Sequence, residues 1–366
     1  MTTNLKAAYL FPGQGSQAVG MGRELYDNFA AARAVFEEAD EALGFALSRL
    51  IFEGPAETLQ LTEHTQPAIL TVSVAALRVF EEAMGVSAGP THGGETAMHG
   101  AQLFRPAFAA GHSLGEYSAH VAAGTLGFAD AVRTVRARGQ FMQAAVPEGQ
   151  GAMAAILGLT AEKVNDVCAA AADELAGPAW SDPAVSEFGA PGENLLRDRI
   201  PQWVVAPANL NSPEQIVISG SAAAVDRAVE LAKAAGAKKA ILLKVSAPFH
   251  CALMQPAQDE LATTLERLTF ADPAFPVVCN VDARLMTRGT EVRDALIRQV
   301  TGPVRWVECV NLLVQQGVTH LIEIGPGRVL TGLTRGILGR GVESPVSLNV
   351  EDRASLEKTV AAVGQL

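Results

Sequence analysis

The chain is predicted to be an α/β protein, one large unit with a smaller module inserted into it. Three observations carry this. Its 366 residues are about twice the length of a typical domain, enough for one large α/β unit with an insert or for two domains. Short apolar runs alternate with segments of helical spacing, and within residues 148–246 the order is β-α-β-β-α-β.

Taken in order, Lys6 to Phe11 is an apolar strand broken by Pro12-Gly13-Gln14-Gly15, with a helix expected after the turn. Ala30 to Leu43 and Pro67 to Met84 are alanine-rich and carry helical spacing. Gly85 to Pro106 is dense in glycine and has no period, so it reads as a surface insertion. Ala107 to Ala110 is a short strand running straight into Gly111-His112-Ser113-Leu114-Gly115, and Glu116 to Ala123 is helical. Next comes the inserted module: strand Ala152 to Leu159, helix Ala161 to Leu175, strands Val204 to Leu210 and Gln215 to Ser219, helix Ala222 to Ala235, strand Ala240 to Val245. This is the ferredoxin-like, split βαβ arrangement, interrupted by a second insertion from Gly177 to Gln202. After Ser246 the alternation resumes and ends in a strand at His320 to Ile324, the turn Gly325-Pro326-Gly327 and a helix. The domains expected are therefore a large one of residues 1–147 and 247–366, and the insert 148–246.

Composition narrows the function. Hydrophobic residues make up 49% and charged residues 18%, so a sizeable core is available and extended disorder is disfavoured. A net charge of -11 opposes general attraction to nucleic acid or anionic lipid. The four cysteines, at 168, 251, 279 and 309, show no C-x-x-C spacing, which argues for reduced, buried thiols over a metal ribbon or a redox pair. No run of about 18 apolar residues occurs, and the N-terminal run ends at Pro12; the expected compartment is the cytosol.

Gly111-x-Ser113-x-Gly115 between a strand and a helix fits a nucleophile elbow, a tight turn that presents Ser113 above a helix N-terminus. A serine hydroxyl needs a base, usually histidine. Of the seven histidines, His112 adjoins the serine and should point elsewhere, and His120 reads as a satisfied core or face residue. His92 and His99 fall in the glycine-rich insertion, while His64 and His320 carry no local signal. His250, in Ala247-Pro248-Phe249-His250, follows the last strand of the insert, where a loop can face a cleft.

Acyl chemistry at Ser113 needs donors for a tetrahedral oxyanion. The Leu114 N–H is one by elbow geometry, and Gln14, in an early strand-to-helix loop, suits the second. Gly13-x-Gly15-x-x-Ala18 imitates a dinucleotide fingerprint, but helix-like sequence stands where the second strand and its acid should be. Arg138 is a misplaced charge. On a helix from Phe128 to Val146, at about 100° per residue, it falls opposite the polar face of Arg133, Arg136, Gln140 and Gln143. A guanidinium there must find an anion, either an internal carboxylate or a ligand's. Four of the seven lysines lie between 233 and 244, which makes either a solvated helix end or a docking patch for an acidic partner.

Phe11-Pro12-Gly13-Gln14-Gly15-Ser16-Gln17, Gly111 to Tyr117, Arg138-Gly139 through Met142, Ala247 to His250 and Glu323 to Gly327 together resemble the malonyl-CoA:acyl-carrier-protein transacylases of fatty acid synthesis. The resemblance spans nearly the whole chain apart from the two insertions. It implies an α/β-hydrolase-like large domain with a parallel sheet core, an inserted ferredoxin-like subdomain, and a site in the gorge between them. It implies Ser113 as nucleophile, His250 as general base and acid, Gln14 and Leu114 as oxyanion donors, and Arg138 as the clamp on the malonyl carboxylate. Gln66 would line the same pocket, and Phe249 would crowd an α-methyl branch. The backbone carbonyl of Arg305 would orient the histidine; well-known members often carry Gln there, so Arg305 is a departure.

The activity so implied is ping-pong malonyl transfer from malonyl-CoA to the phosphopantetheine thiol of acyl carrier protein. No metal or permanently bound cofactor is expected, and the expected state is a monomer. Lys238, Lys239 and Arg335 are the residues expected to meet the carrier protein. The alternatives are a serine esterase or thioesterase, a polyketide-type acyltransferase with another donor, and a noncatalytic carrier-binding module.

Overall fold

The computed structural model describes residues 5–85, 104–176, 203–339 and 344–364. Both insertions read from the sequence, 85–106 and 177–202, fall largely or wholly outside the described residues, as do His92 and His99. Two compact units are present. One comprises Met1–Gln140, Thr264–Ala295 and Glu308–Leu366, and the other Phe141–Thr263 with Leu296–Val307.

The elements run β1 (Ala7–Phe11), α1 (Arg23–Asn28), α2 (Ala30–Leu43), α3 (Leu47–Glu53), α4 (Ala56–Leu59), α5 (Thr62–Ala83), β2 (Phe108–Gly111), α6 (Gly115–Ala122) and α7 (Phe128–Ala144). They continue with β3 (Gly151–Leu157), α8 (Ala161–Ala176), β4 (Val205–Ser212), β5 (Gln215–Ser221), α9 (Ala222–Ala234), β6 (Lys239–Leu242) and α10 (Gln255–Leu265). The last are β7 (Val277–Val278), β8 (Leu285–Met286), α11 (Gly289–Arg298), α12 (Trp306–Gln315), β9 (His320–Ile324), α13 (Val329–Leu338), β10 (Val346–Val350) and α14 (Arg353–Gly364).

In the first unit six strands form one sheet in the order β10-β9-β1-β2-β7-β8, with only the β7–β8 pair antiparallel. Every residue of β1 and β2 is buried, as a parallel strand covered on both faces requires. Tyr9 on β1 anchors an aromatic cluster, with ring centroids 6.0 Å from Phe80 and 6.4 Å from Phe275. Helix α5 is buried along most of its length and starts five residues before the Pro67 expected from the sequence. Pro67 is the sixth residue of α5, inside the helix, and lacks the N–H that would otherwise donate to the Glu63 carbonyl.

The second unit holds an antiparallel sheet in the order β4-β5-β3-β6, the strand order of a ferredoxin-like module. Helices α8 and α9 cover it: Val164, Cys168, Val225 and Ala228 pack with Ala154, Ile156 and Ile218 in one buried cluster. At the edge, β6 leaves Ile241 and Leu242 half exposed. The fold class is therefore as the sequence predicts, a mostly parallel sheet and a separate antiparallel one. All four cysteines are free and buried. Among the described residues no helix is long and apolar enough to cross a membrane.

Candidate active site

The strand-turn-helix around Ser113 forms as its glycines require. Gly115 N–H donates to the His112 carbonyl and Glu116 N–H to the Ser113 carbonyl, which closes the first turn of α6. Ser113 itself sits at φ 51°, in the left-handed region that a residue with a Cβ adopts only under constraint. Leu114 is the helical residue at the N-cap of α6, so its N–H belongs to the unsatisfied group that helix N-termini offer to an anion.

The loop after β1 lies directly against this turn. A Cβ on Gly13 would come 2.4 Å from the His112 carbonyl oxygen, so only glycine lets the two backbones approach. Ser16 Oγ donates to the Gly13 carbonyl at 2.9 Å and Gly15 N–H to Gln17 Oε1 at 2.7 Å, which folds the loop on itself. Gln14 reaches from it to α5, where its Nε2 donates to Thr62 Oγ1 at 3.5 Å.

Arg138 on α7 is buried, as the helical rotation predicts for its face. Its Nη1 donates to Gln66 Oε1 at 2.8 Å and its Nη2 to Ser113 Oγ at 3.2 Å. The guanidinium also lies 5.8 Å from the Tyr117 ring centroid. Burial pulls the guanidinium's pKa below its ordinary value, opposed by the Tyr117 and Glu116 side chains. Gly139 allows this reach: a Cβ there would lie 2.7 Å from the Thr62 carbonyl oxygen, so α7 seats directly on the start of α5, beside Gln66.

In the second unit, His250 is buried and sits at φ 60°. Its Nδ1 bonds the Gln299 carbonyl at 2.9 Å and the Gly302 carbonyl at 3.1 Å. Both partners can only accept, so Nδ1 carries the proton and Nε2 keeps the lone pair that a base needs. The carbonyls of Gln299 and Gly302 thus orient the ring, a role that the resemblance implies for the carbonyl of Arg305. The reason is local. Gly302 N–H returns to the Arg298 carbonyl at the end of α11, and carbonyls just past a helix end have no intrahelical donor. Val304 by contrast is engaged with β4, through Ala208 and Leu210. Phe249, next to His250, is buried.

Two residues without an assigned role in the sequence reading belong to the Ser113 turn. Asn280 and Glu116 are wholly buried, and both are hydrogen-bonded into it. Glu116 stood inside a quoted motif; Asn280 carries no local signal beyond being a polar residue past the carboxyl end of a parallel strand. His120 is buried as expected, but among the described residues neither ring nitrogen has a hydrogen bond, and Glu116 is 4.0 Å away. Lys238, Lys239 and Arg335 are exposed, and Lys238 pairs with Glu214 at 2.6 Å. Among the described residues no group of three or more His, Cys, Asp or Glu could hold a metal ion.

Comparison with known proteins gives the family. Residues 8–184 match the acyl transferase domain family. A malonyl CoA-acyl carrier protein transacylase of Escherichia coli O157:H7 is 47% identical over 90% of this chain and 92% of its own length. The crystal structure of an acyl carrier protein S-malonyltransferase from Vibrio cholerae O1 is 46% identical, with a TM-score of 0.81 over 97% of this chain and 99% of that one. A malonyl-transacylase solved in complex with its type II PKS acyl-carrier protein is 43% identical, with a TM-score of 0.81 over 98% of this chain and 99% of that one. With the elbow, the buried arginine and near-complete coverage at such identity, the chain belongs to the malonyl CoA-acyl carrier protein transacylase family of acyltransferases.

Proposed function

We propose that the chain transfers a malonyl group from malonyl-CoA to the phosphopantetheine thiol of acyl carrier protein, through a malonyl ester on Ser113, and so supplies extender units for fatty acid synthesis. The observation that carries this is the Arg138 guanidinium, buried and 3.2 Å from the Ser113 hydroxyl oxygen. A cation held there fits an acyl group whose second carboxylate lies one carbon from the thioester carbonyl. Gln66, bonded to the same guanidinium, keeps its plane oriented toward that carboxylate.

His250 Nε2 takes the Ser113 proton as Oγ attacks the thioester carbonyl. The oxyanion is met by the N–H groups of Leu114 and Gln14. When the tetrahedral intermediate collapses the C–S bond breaks, and coenzyme A leaves with the proton from His250. The carrier protein's thiol then loses its proton to His250 and attacks the ester carbonyl; the C–O bond breaks and Ser113 Oγ regains a proton. Coenzyme A and phosphopantetheine take part as substrates, with no permanently bound cofactor. The partners of His250 Nδ1 are neutral carbonyls, where a hydrolase triad normally places a carboxylate.

In chain order, Gln14, Gln66, Ser113 and Arg138 come from the large domain 1–147, and Phe249 and His250 follow the insert 148–246. The Phe249 ring disfavours branched donors. Lys238, Lys239 and Arg335 present positive charge to the acidic carrier protein, and the reaction belongs to the cytoplasm.

Intact-protein mass spectrometry after brief exposure to malonyl-CoA tests the proposal. A malonyl adduct is expected on the unaltered chain and none on Ser113→Ala. Delivery of the adduct to a carrier-protein thiol, faster than to water, is the expected second result. Release only to water would replace the transferase reading with a thioesterase.

A further inference from the structure

Asn280 lies 167 residues from Ser113 in sequence and makes three hydrogen bonds, two to the backbone of the Ser113 turn and one to Glu116 in the first turn of α6. Asn280 Oδ1 accepts from Ser113 N–H at 2.7 Å, and Asn280 Nδ2 donates to the Gly111 carbonyl at 2.7 Å. One amide therefore spans the peptide on either side of His112. The Asn280 backbone N–H in turn donates to Glu116 Oε2 at 2.9 Å, which ties Asn280 to the first turn of α6. The sheet explains the placement. β7 runs parallel to β2 with Ala110 opposite Val278, so two further residues bring Asn280 level with His112.

Left-handed backbone at a serine is unfavourable and persists only where surrounding bonds determine it. Here the amide engages the backbone groups on both sides of the bend. It also consumes the Ser113 N–H, so oxyanion stabilisation is left to other donors. We infer that Asn280 is a positioning residue for acylation, holding Ser113 in the strained turn so that its hydroxyl and the Leu114 N–H stay aimed at the same carbonyl. This deepens the proposed function and rests on Ser113 being the nucleophile. The chemistry demands a group that accepts on one side and donates on the other. Asparagine does both, and so does a protonated aspartic acid, whereas an aspartate would set a second acceptor against the Gly111 carbonyl.

The test compares Asn280→Ala and Asn280→Asp with the unaltered chain in full-length form. First-turnover malonylation from malonyl-CoA is measured by rapid quench, and malonyl-CoA affinity is measured in the Ser113→Ala background. In Asn280→Ala the first-turnover rate constant is expected to fall about 10²-fold, with the reactive fraction and the affinity little changed. In Asn280→Asp the rate relative to the unaltered chain is expected to climb as pH falls. Burial and the Glu116 carboxylate raise the introduced carboxyl's pKa, and the buried Arg138 guanidinium beyond Glu116 opposes them. The same ratio for Asn280→Ala stays flat.

A first-turnover rate within threefold in folded Asn280→Ala would overturn the inference, as would a flat pH ratio for Asn280→Asp. If Asn280→Ala does not fold, the pH ratio of Asn280→Asp decides alone. Absence of any malonyl adduct on the unaltered chain would instead refute Ser113 as nucleophile, a separate outcome.

Discussion

Arg138 donates to the Ser113 hydroxyl oxygen from 3.2 Å while its other amino group is held by Gln66, so cation and nucleophile share one buried spot. Arg138→Ala is expected to lower kcat/KM for malonyl-CoA about 10²–10³-fold while changing that for acetyl-CoA only a few-fold. Arg138→Lys should fall between, since it keeps the charge and loses the fork. Competition between the two thioesters in one assay reads the ratio directly, and equal losses for both would remove the clamp from the mechanism.

Gln66 is expected to act through that guanidinium. Gln66→Leu removes the acceptor for Nη1 and should cost about tenfold in malonyl kcat/KM, leaving acetyl transfer unchanged. The measurement is the same selectivity ratio.

Gly13→Ala sets a Cβ 2.4 Å from the His112 carbonyl oxygen, backbone against backbone, so the loop must move away from the turn. Displacing Gln14 from the oxyanion should slow first-turnover acylation by about 10²-fold. Rapid-quench rates, with thermal unfolding to show that the fold survives, check this.

His120 adds a pH dependence to stability. Burial pushes its pKa down to about 3, so the folded chain keeps it neutral where the unfolded chain, near 6.5, binds a proton. Stability is therefore lost as pH falls below about 6.5, with a slope approaching 1.4 kcal/mol per pH unit from this group. Glu116, 4.0 Å away, is the charged neighbour that could soften the slope. Urea unfolding at about pH 7.5, 6 and 5 should show a shallower loss for His120→Leu than for the unaltered chain.

Charge reversal at Lys239 or Arg335 should raise KM for the carrier protein several-fold and flatten its salt dependence, with acylation by malonyl-CoA unaffected. Lys238→Glu should do less, because Lys238 is already paired with Glu214. Steady-state kinetics with varied carrier protein and salt separate the three.

The sequence by itself determined what is local. Alternating apolar runs and turn residues are read within a few positions, so β3 to β6 with α8 and α9, the helix Ala30–Leu43 and the strand His320–Ile324 stand where the periodicity puts them. The buried face of Arg138 followed from rotation along a single helix. The elbow motif and the early loop pointed to Ser113, Leu114 and Gln14, while the role of Arg138, left open between an internal and a ligand anion, came only from the resemblance. Tertiary structure decided which distant groups meet. Gln66 bonds Arg138 across 72 residues, His250 takes the carbonyls of Gln299 and Gly302, and Asn280 braces Ser113. Those pairings depend on strand register and on which helix carbonyls are left without donors. Neither quantity is written in the neighbourhood of the residues it brings together.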